Sequence, residues 1–326
     1  MRGLHRPFGG TGRVTAAASD DRTDMATAPS TAGAVLPELS SPRRLIGGRV
    51  FDFSREVAVM AIINRTPDSF YDKGATFELD AAVDAARRAI ADGADWVDIG
   101  GAKFAPGPAV PTSVEIDRVV PVIRALRGSG VVISLDTFRP EVALAGIAAG
   151  AHVINDTTGV HDPAMADVVA DSDASLVITH SLALPRTPYP APHYDDVVAE
   201  VAGFLRARVD RATGRGVPPE RIIVDPGHDL NKNTRHSLEL TRRLGEITAL
   251  GLPTLVAVSN KDFVGETLDR ERGERVEGSL AAAVFCILQG ARIVRMHNVA
   301  AAVNAVRMTE VILGFREPAY FRHNMA

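Results

Sequence analysis

The sequence is poor in several features that define other classes of protein. It contains one cysteine, Cys286, so no disulfide can form within the chain, as is usual for proteins of a reducing compartment. Lys and Arg number 36 against 40 Asp and Glu, and this lack of a basic excess argues against a nucleic-acid partner. No apolar run reaches the roughly 20 residues of a membrane-spanning helix. We therefore expect a cytoplasmic protein that binds neither nucleic acid nor membrane.

The first part of the chain lacks a sustained hydrophobic period. Residues 1–45 are rich in Gly, Ser, Thr, Ala and Arg, and contain no apolar segment of the kind found in a secretory signal. Asp20, Asp21 and Asp24 argue against an organellar transit peptide. We predict a disordered tail over residues 1–45 and a single domain over residues 46–326.

Beyond the tail, short apolar runs alternate with Ala-rich helical segments. Such runs without internal polar residues are typical of parallel strands that are buried on both faces. The predicted strands are Val57–Ile63, Trp96–Ile99, Val131–Leu135, His152–Ile154, Ser175–Thr179, Arg221–Val224, Thr254–Val258 and Arg292–Arg295. The predicted helices are Ala81–Ala91, Val114–Leu126, Pro140–Ala149, Ala164–Ala170, Val197–Thr213, Arg235–Leu244, Arg275–Gln289 and Ala300–Leu313. Eight strand–helix units predict an α/β fold of the TIM (β/α)₈ barrel type. A doubly wound open sheet is the alternative, but no Gly-rich phosphate-binding turn follows Ile63.

Each predicted strand ends in polar residues. In a barrel these carboxyl ends meet at one face, where active sites are built. In chain order the residues are Asn64; Asp98 with Gly100 and Gly101; Asp136; Asn155 and Asp156; His180; Asp225; Ser259 and Lys261; and Arg295 and His297. A single Asp after a strand often does no more than cap the next helix. Polar residues at all eight ends favour one shared site.

Four of these residues indicate the kind of ligand. Asp136, Asn155, Asp225 and Lys261 offer acceptors and donors in alternation, which suits a flat heterocycle with amide-like edges.

Three others favour an anion. Asn64 offers an oxygen ligand, while Arg295 and His297 offer cationic donors, as a phosphate or pyrophosphate bound with Mg²⁺ requires. The sequence has no Ser-His-Asp order at recognisable spacing and no His-rich metal motif, so neither nucleophilic catalysis nor a zinc site is expected.

Several motifs in one order resemble dihydropteroate synthase from about Val57 to Leu313. The motifs are Asn64-x-Thr-Pro-Asp-Ser-Phe70, Asp98-Ile-Gly-Gly101, Asp136-Thr-Phe-Arg-Pro-Glu141, Ile154-Asn-Asp156, Asp225-Pro-Gly227, Ser259-x-Lys261, Gly278-Ser-Leu-Ala281 and Ile293-Val-Arg295-Met-His297-Asn-Val299. The resemblance implies a TIM barrel that condenses 6-hydroxymethyl-dihydropterin pyrophosphate with p-aminobenzoate. It also implies a homodimer, which we expect to form through the helices around Ala281–Gln289 and Ala300–Leu313.

The resemblance assigns roles to the strand-end residues. Those of the pterin pocket would be Asp136, Asn155, Asp225, Lys261 and Arg295. The pyrophosphate would be bound by Asn64, Arg295 and His297, with Asn64 also a ligand of Mg²⁺. Lys261, Arg295 and His297 would be the catalytic residues, because they stabilise the leaving anion.

The chain departs from the family on the p-aminobenzoate side, where Phe104, Pro106, Leu230 and Ser259 would face the acceptor. After the second strand the family reads Asp-x-Gly-Gly-Glu-Ser-Thr-Arg-Pro-Gly. Here Ala102, Lys103, Phe104 and Ala105 replace Glu, Ser, Thr and Arg. In the family this loop orders around p-aminobenzoate, so the loss of the Arg removes a cationic donor near the reacting pair, and Phe104 adds bulk where a hydroxyl stood.

Further departures fall nearby. The family pattern Asp-Pro-Gly-Phe-Gly-Phe-Gly-Lys here continues after Gly227 as His228-Asp229-Leu230-Asn231-Lys232. The family's Ser-Arg-Lys has Asn260 at its centre, and Arg65 stands where a small apolar residue is usual.

Because catalysis requires both reactants to be held in line, we predict little or no dihydropteroate synthase activity. In this the chain resembles the divergent second branch of the family from mycobacteria and related actinobacteria, which is regarded as inactive in folate synthesis. An active dihydropteroate synthase remains an alternative. Another is a transferase with a changed acceptor, in which Lys103 and His228 receive an acidic or phosphorylated molecule. A corrinoid or folate methyltransferase of the same superfamily is more distant. In all of these the partner is a small molecule, pterin-like or phosphorylated.

Overall fold

The computed structural model describes residues 36–65, 78–188 and 191–324. The predicted tail lies outside these ranges up to residue 35. Residues 36–45 are described, and a strand begins at Arg43, within the range that we had assigned to the tail. The Thr66–Phe70 part of the first motif also lies outside the described residues.

Eight parallel strands form one sheet that closes into a barrel. They are β3 (Ala58–Asn64), β4 (Trp96–Gly100), β5 (Val132–Asp136), β6 (Val153–Asp156), β7 (Ser175–Thr179), β8 (Ile222–Asp225), β9 (Leu255–Val256) and β10 (Ile293–Met296). The hydrogen-bonded order is β8-β7-β6-β5-β4-β3-β10-β9. A parallel bridge between Val224 and Thr254 joins the two ends of this order. The closed sheet confirms the predicted TIM barrel and excludes the open doubly wound alternative.

Helices follow the strands around the outside. They are α1 (Leu79–Ala91), α2 (Thr112–Ala125), α3 (Pro140–Ala149), α4 (Ala164–Ala170), α5 (Val197–Gly214), α6 (Thr234–Arg242), α7 (Leu244–Thr248), α8 (Asp262–Leu268), α9 (Val276–Leu288) and α10 (Val299–Ile312). The eight predicted helices all form, most with ends shifted by one or two residues. The short helices α7 and α8 were not predicted. Among the described residues, none of the helices combines the length and apolar character needed to cross a bilayer.

Each strand contributes to two apolar layers. Side chains that point outward pack under the helices, and those that point inward fill the amino-terminal half of the barrel. The inward set is Ala58, Met60, Trp96, Val132, Val153, Val177, Ile223, Leu255 and Ile293, all at 0 % exposure. Filling this end leaves the polar strand ends to form the opposite end of the barrel.

An antiparallel hairpin that the hydrophobic pattern did not predict covers the amino-terminal end of the barrel. Its strands are β1 (Arg43–Ile46) and β2 (Arg49–Asp52). Phe51 and Phe53 are fully buried, and the Phe51 ring meets the Trp96 ring edge-on at 5.7 Å. The hairpin therefore completes the core of the barrel and keeps water out of this end.

Candidate functional site

A cavity of about 370 Å³ opens at the carboxyl ends of the strands. It brings together most of the predicted site residues, namely Asn64, Phe104, Asp136, Leu230, Ser259, Lys261, Arg295 and His297. Asn155 and Asp225 are buried at the ends of β6 and β8 and are not among its lining residues. Pro106 is exposed and also lies off the lining. The cavity therefore brings together eight of the predicted site residues, whereas Asn155, Asp225 and Pro106 lie off its lining.

Arg295 is the centre of a charge network at the base of this cavity. Its Nε donates to Asp98 Oδ2 at 2.6 Å, and its Nη2 donates to Asp136 Oδ2 at 2.9 Å. Asp98 also accepts from Ser134 Oγ at 2.6 Å and from Asn155 Nδ2 at 3.0 Å. Asp98 is fully buried. It is one of the polar strand ends named above, but the sequence gives it no role in ligand binding.

Burial leaves two carboxyl groups poised to ionise near neutral pH. Desolvation raises the pKa of Asp136 to about 7, against the opposing effect of Arg295. Desolvation also raises the pKa of Asp225 to about 6, although Asp225 Oδ1 accepts a hydrogen bond from the Gly227 amide at 2.8 Å. A ligand that donates hydrogen bonds to these carboxylates would therefore stabilise their charged forms.

Asn155 has an unused acceptor beside this network. Its Nδ2 is committed to Asp98, and its buried Oδ1 finds no partner among the described residues. A buried polar atom without a partner is costly, so native proteins rarely leave one unless a ligand or water completes it. A donor from a bound ligand would complete Asn155.

The last two strand loops carry Lys261 and His297 to the cavity. The His297 amide donates to Ser259 Oγ at 3.1 Å, and His297 Nδ1 lies 3.0 Å from the same oxygen. Arg275 Nη1 donates to the carbonyls of Asn260 and Lys261, both at 3.1 Å. Ser259 thus orients the His297 ring, while Arg275 fixes the turn that carries Lys261 to the cavity wall.

The Lys232 side chain is buried and contacts three polar groups of the surrounding loops. Its Nζ lies 2.8 Å from His180 Nδ1 and donates to the Gly227 and Leu230 carbonyls at 2.9 and 3.0 Å. Burial lowers the pKa of Lys232 to about 7 and that of His180 to about 2. His180, one of the polar strand ends, therefore supports the loop after β8.

His228 does not face the cavity. It is fully buried, its Nε2 lies 3.1 Å from Thr241 Oγ1, and its ring stacks on Phe263 at 5.8 Å. Burial lowers its pKa to about 3, so the ring is neutral at physiological pH. The structure thus removes His228 from the acceptor-binding pair that we considered with Lys103, which does line the cavity.

Arg65 is used to support α2. Pro121 has no amide hydrogen, so the carbonyl of Asp117 one turn earlier lacks its helical donor. Arg65 Nη1 donates to this carbonyl at 3.1 Å and to that of Arg118 at 2.6 Å. The sequence could not reveal this, because the contact depends on how the first loop meets α2.

The cavity offers few protein ligands for Mg²⁺. Asn64 lines the cavity and offers one amide oxygen. Among the described residues, no group of three or more His, Cys, Asp or Glu side chains is placed to hold a metal ion. Mg²⁺ commonly binds one or two protein oxygens and takes its other ligands from substrate phosphates and water. The residues therefore fit a metal that arrives with a pyrophosphate.

The fold and the site define a pterin-binding barrel. The family described as "Pterin binding enzyme" matches residues 60–297. The "Inactive dihydropteroate synthase 2" of Mycobacterium tuberculosis (strain ATCC 25618 / H37Rv) is 49 % identical over 267 residues, 80 % of this chain and 84 % of that protein. The dihydropteroate synthase of Escherichia coli (strain K12) is 39 % identical over 261 residues, 79 % of this chain and 93 % of that protein. The chain therefore belongs to the dihydropteroate synthase family of pterin-binding enzymes.

A solved structure shows the same barrel with a ligand. Dihydropteroate synthase from Xanthomonas albilineans, in complex with 7,8-dihydropteroate, superposes with a TM-score of 0.74 at 40 % identity. The match covers 83 % of this chain and 98 % of that one. That relative thus binds a small molecule within the same architecture.

Proposed function

We propose that this protein binds a pterin-type ligand in the barrel but has little or no dihydropteroate synthase activity. One observation carries the proposal. The Asp98–Arg295–Asp136 network is complete, whereas the loop beside it lacks the Glu, Ser, Thr and Arg of active family members.

The pterin side supports binding. The carboxylates of Asp136 and Asp225 and the unused oxygen of Asn155 would accept the ring's amino and amide hydrogens, and Lys261 would donate to its carbonyl. Arg295 presents a planar guanidinium on which a flat ring can stack. The relative from Xanthomonas albilineans holds 7,8-dihydropteroate in the same fold.

The anion side supports a phosphorylated pterin. Asn64, Arg295 and His297 line one cavity, where they would bind a pyrophosphate. Asn64 would give Mg²⁺ one oxygen, and the bound metal would supply charge neutralisation of the pyrophosphate.

The acceptor side supports the loss of activity. Phe104 and Leu230 line the cavity where the family has a hydroxyl and an aromatic wall. The relatives from Mycobacterium tuberculosis and Mycobacterium leprae, 49 % and 45 % identical, are both named as inactive. Loss of acceptor positioning removes the alignment on which the condensation depends.

Calorimetric titration with 6-hydroxymethyl-7,8-dihydropterin tests the binding. We expect saturable binding that tightens from about pH 5 to about pH 8, because ligand donors need the ionised forms of Asp225 and Asp136. Below its pKa, each required carboxylate should cost up to about tenfold in affinity per pH unit. Asp225→Asn should weaken binding and flatten this dependence, whereas the exposed Asp171→Asn should change neither. Absence of saturable binding, or affinity independent of pH, would contradict the proposal.

We also propose that the protein is a homodimer joined through α9 and α10. Phe285 and Leu288 on α9 and Met308 and Ile312 on α10 are apolar side chains at 40–69 % exposure. The double variant Phe285→Asp with Met308→Asp should run as a monomer in light scattering, while the wild type runs as a dimer. Leu144→Asp, at an exposed leucine of α3, is the matched control and should remain dimeric. A monomeric wild type would exclude this interface.

A further inference from the structure

Four loops around the acceptor end of the cavity are joined into one rim. They follow β4 (residues 101–111), β7 (residues 180–188), β8 (residues 226–233) and β9 (residues 257–262, which include the first residue of α8), and we call them the acceptor rim. Three side chains on two of these loops make the connections, namely Arg186, Asn231 and Asp229.

Arg186 connects the loop after β7 to the loop after β4. Its Nη1 donates to the Ala105 carbonyl at 2.8 Å and its Nε donates to the Pro108 carbonyl at 2.9 Å. The Arg186 amide donates to the Phe104 carbonyl at 3.0 Å, and its own carbonyl accepts from the Gly107 amide at 3.4 Å. One residue thus holds the backbone at four points along residues 104–108, a segment in which Phe104 and Ala105 line the cavity.

Asn231 and Asp229 extend the connection. Asn231 Oδ1 accepts from the amides of Leu182 and Ala183 at 2.8 and 2.9 Å, so it joins the loop after β8 to the loop that carries Arg186. Asp229 Oδ2 accepts from the Asp262 amide at 2.6 Å, at the start of α8. Both residues stand where the family has glycine, and both keep positive φ, at 53° and 63°. Asp and Asn tolerate this conformation better than most residues, so the glycine backbone is retained while a connecting side chain is added.

The contact between Arg186 and the loop after β4 requires an unusual backbone conformation at Arg186 and a glycine at position 107. Arg186 has φ of 65°, a left-handed conformation that is uncommon for a residue other than glycine. Gly107 has φ of 152°, and a Cβ there would lie 2.4 Å from Arg186 Nη2. The guanidinium can approach this loop only because residue 107 has no side chain.

We propose that Arg186 is a specificity-determining residue that fixes the acceptor rim, so that the site accepts a pterin with a small 6-substituent and disfavours one that bears a p-aminobenzoyl group. This inference rests on the proposed pterin binding. An aryl group at the acceptor end needs the Phe104 loop to adjust around it, and any such movement breaks the Arg186 hydrogen bonds. Holding the loop therefore penalises the larger ligand and leaves the smaller one, bound at the inner end, unaffected.

Hydrogen exchange of the full-length protein without ligand tests the fixed rim. The amides of residues 107 and 186, which donate to the Arg186 and Phe104 carbonyls between the two loops, should exchange slowly in the wild type and about tenfold faster in Arg186→Ala and Gly107→Ala, because opening of the loops no longer has to break the side-chain bonds of Arg186. Arg186→Lys should be intermediate. Arg206→Ala, at an exposed arginine of α5, should match the wild type. Fast exchange in the wild type, or unchanged exchange in both loop variants, would overturn the fixed rim.

Titration with two ligands tests the selectivity. The wild type should bind 6-hydroxymethyl-7,8-dihydropterin at least about tenfold more tightly than 7,8-dihydropteroate, and Arg186→Ala and Gly107→Ala should reduce this ratio by about tenfold through tighter dihydropteroate binding. Arg186→Lys should recover part of the wild-type ratio, and a general loss of structure would weaken both ligands alike. Equal affinities in the wild type, or a ratio unchanged in both variants, would overturn the role of Arg186. A wild type that binds neither ligand would instead refute the proposed function, and the exchange experiment would still decide whether Arg186 fixes the rim.

Discussion

The purified protein should form dihydropteroate from 6-hydroxymethyl-dihydropterin pyrophosphate and p-aminobenzoate at least about 100-fold more slowly than an active synthase measured beside it. The reaction needs the pyrophosphate to leave while the amine stands in line with the pterin methylene. Asn64, Arg295 and His297, which we propose to bind the leaving pyrophosphate, line the cavity. The acceptor loop, by contrast, has Phe104 and Ala105 in place of the family's Thr and Arg, and Lys103 is left as its polar side chain on the cavity lining.

The Escherichia coli enzyme, 39 % identical, is a suitable positive control in this assay. Pterin binding by the same preparation shows that slow turnover reflects the acceptor end of the site and not unfolded protein. Expression in a synthase-deficient strain gives an independent readout, and we expect no growth without added folate products. Turnover comparable to that of the control enzyme would contradict the proposed inactivity and support the alternative of an active synthase.

The substitutions that separate this chain from active synthases do not all act on the ligand. Arg65 supports α2 through the carbonyl that Pro121 leaves open. Asp229 and Asn231 connect neighbouring loops, and His228 is buried beneath them. Several departures therefore add contacts between neighbouring elements. Under the proposed function, these contacts and the loss of groups that could hold p-aminobenzoate would both lower the rate of condensation.

The barrel was predictable because its signal is local. Strands buried on both faces appear as apolar runs, and the polar residue that ends each run marks the carboxyl face. The β1–β2 hairpin was not predicted because its burial depends on contacts with distant parts of the chain. Phe51 and Phe53 pack against the inward-pointing residues of the barrel strands, and no local hydrophobic pattern reveals such contacts. The short helix α8 depends on a cap from Asp229, a residue 33 positions earlier in the chain.

The positions of the strand-end residues were predictable in the same way. Residues that follow strands, such as Asp136 and Arg295, could be placed from the order of the elements alone. Contacts between loops could not, and Arg186 is the main example, since its partners Ala105 and Pro108 lie 81 and 78 positions away. Which of two polar residues faces the cavity is set by the packing of both loops, and for this reason Lys103 lines it and His228 does not.

Replacing Arg295 with alanine should lower the free energy of unfolding by roughly 3–5 kcal/mol, the usual cost of removing one partner from a buried ion pair. Arg295 lies between Asp98 and Asp136, at 2.6 and 2.9 Å, and the Asp98 side chain has no exposure to solvent. Without the guanidinium, two carboxylates would share a low-dielectric site with no opposite charge between them. Urea denaturation of the wild type and the variant at about pH 8 measures this loss.

The pH dependence separates this electrostatic cause from a simple loss of packing. The pKa of Asp136 is already raised to about 7 by burial, and Arg295 opposes that rise, so the variant should raise it further. A carboxyl whose pKa is higher in the folded state favours folding at low pH and loses that contribution as the pH rises through the folded pKa. The destabilisation of Arg295→Ala should therefore be smaller near pH 5 than at about pH 8. Arg215→Ala, which breaks an ion pair with Asp167 at the surface, should cost no more than about 1 kcal/mol. A loss at Arg295 that is equally small, or the same at both pH values, would show that Arg295 does not stabilise the charged form of Asp136.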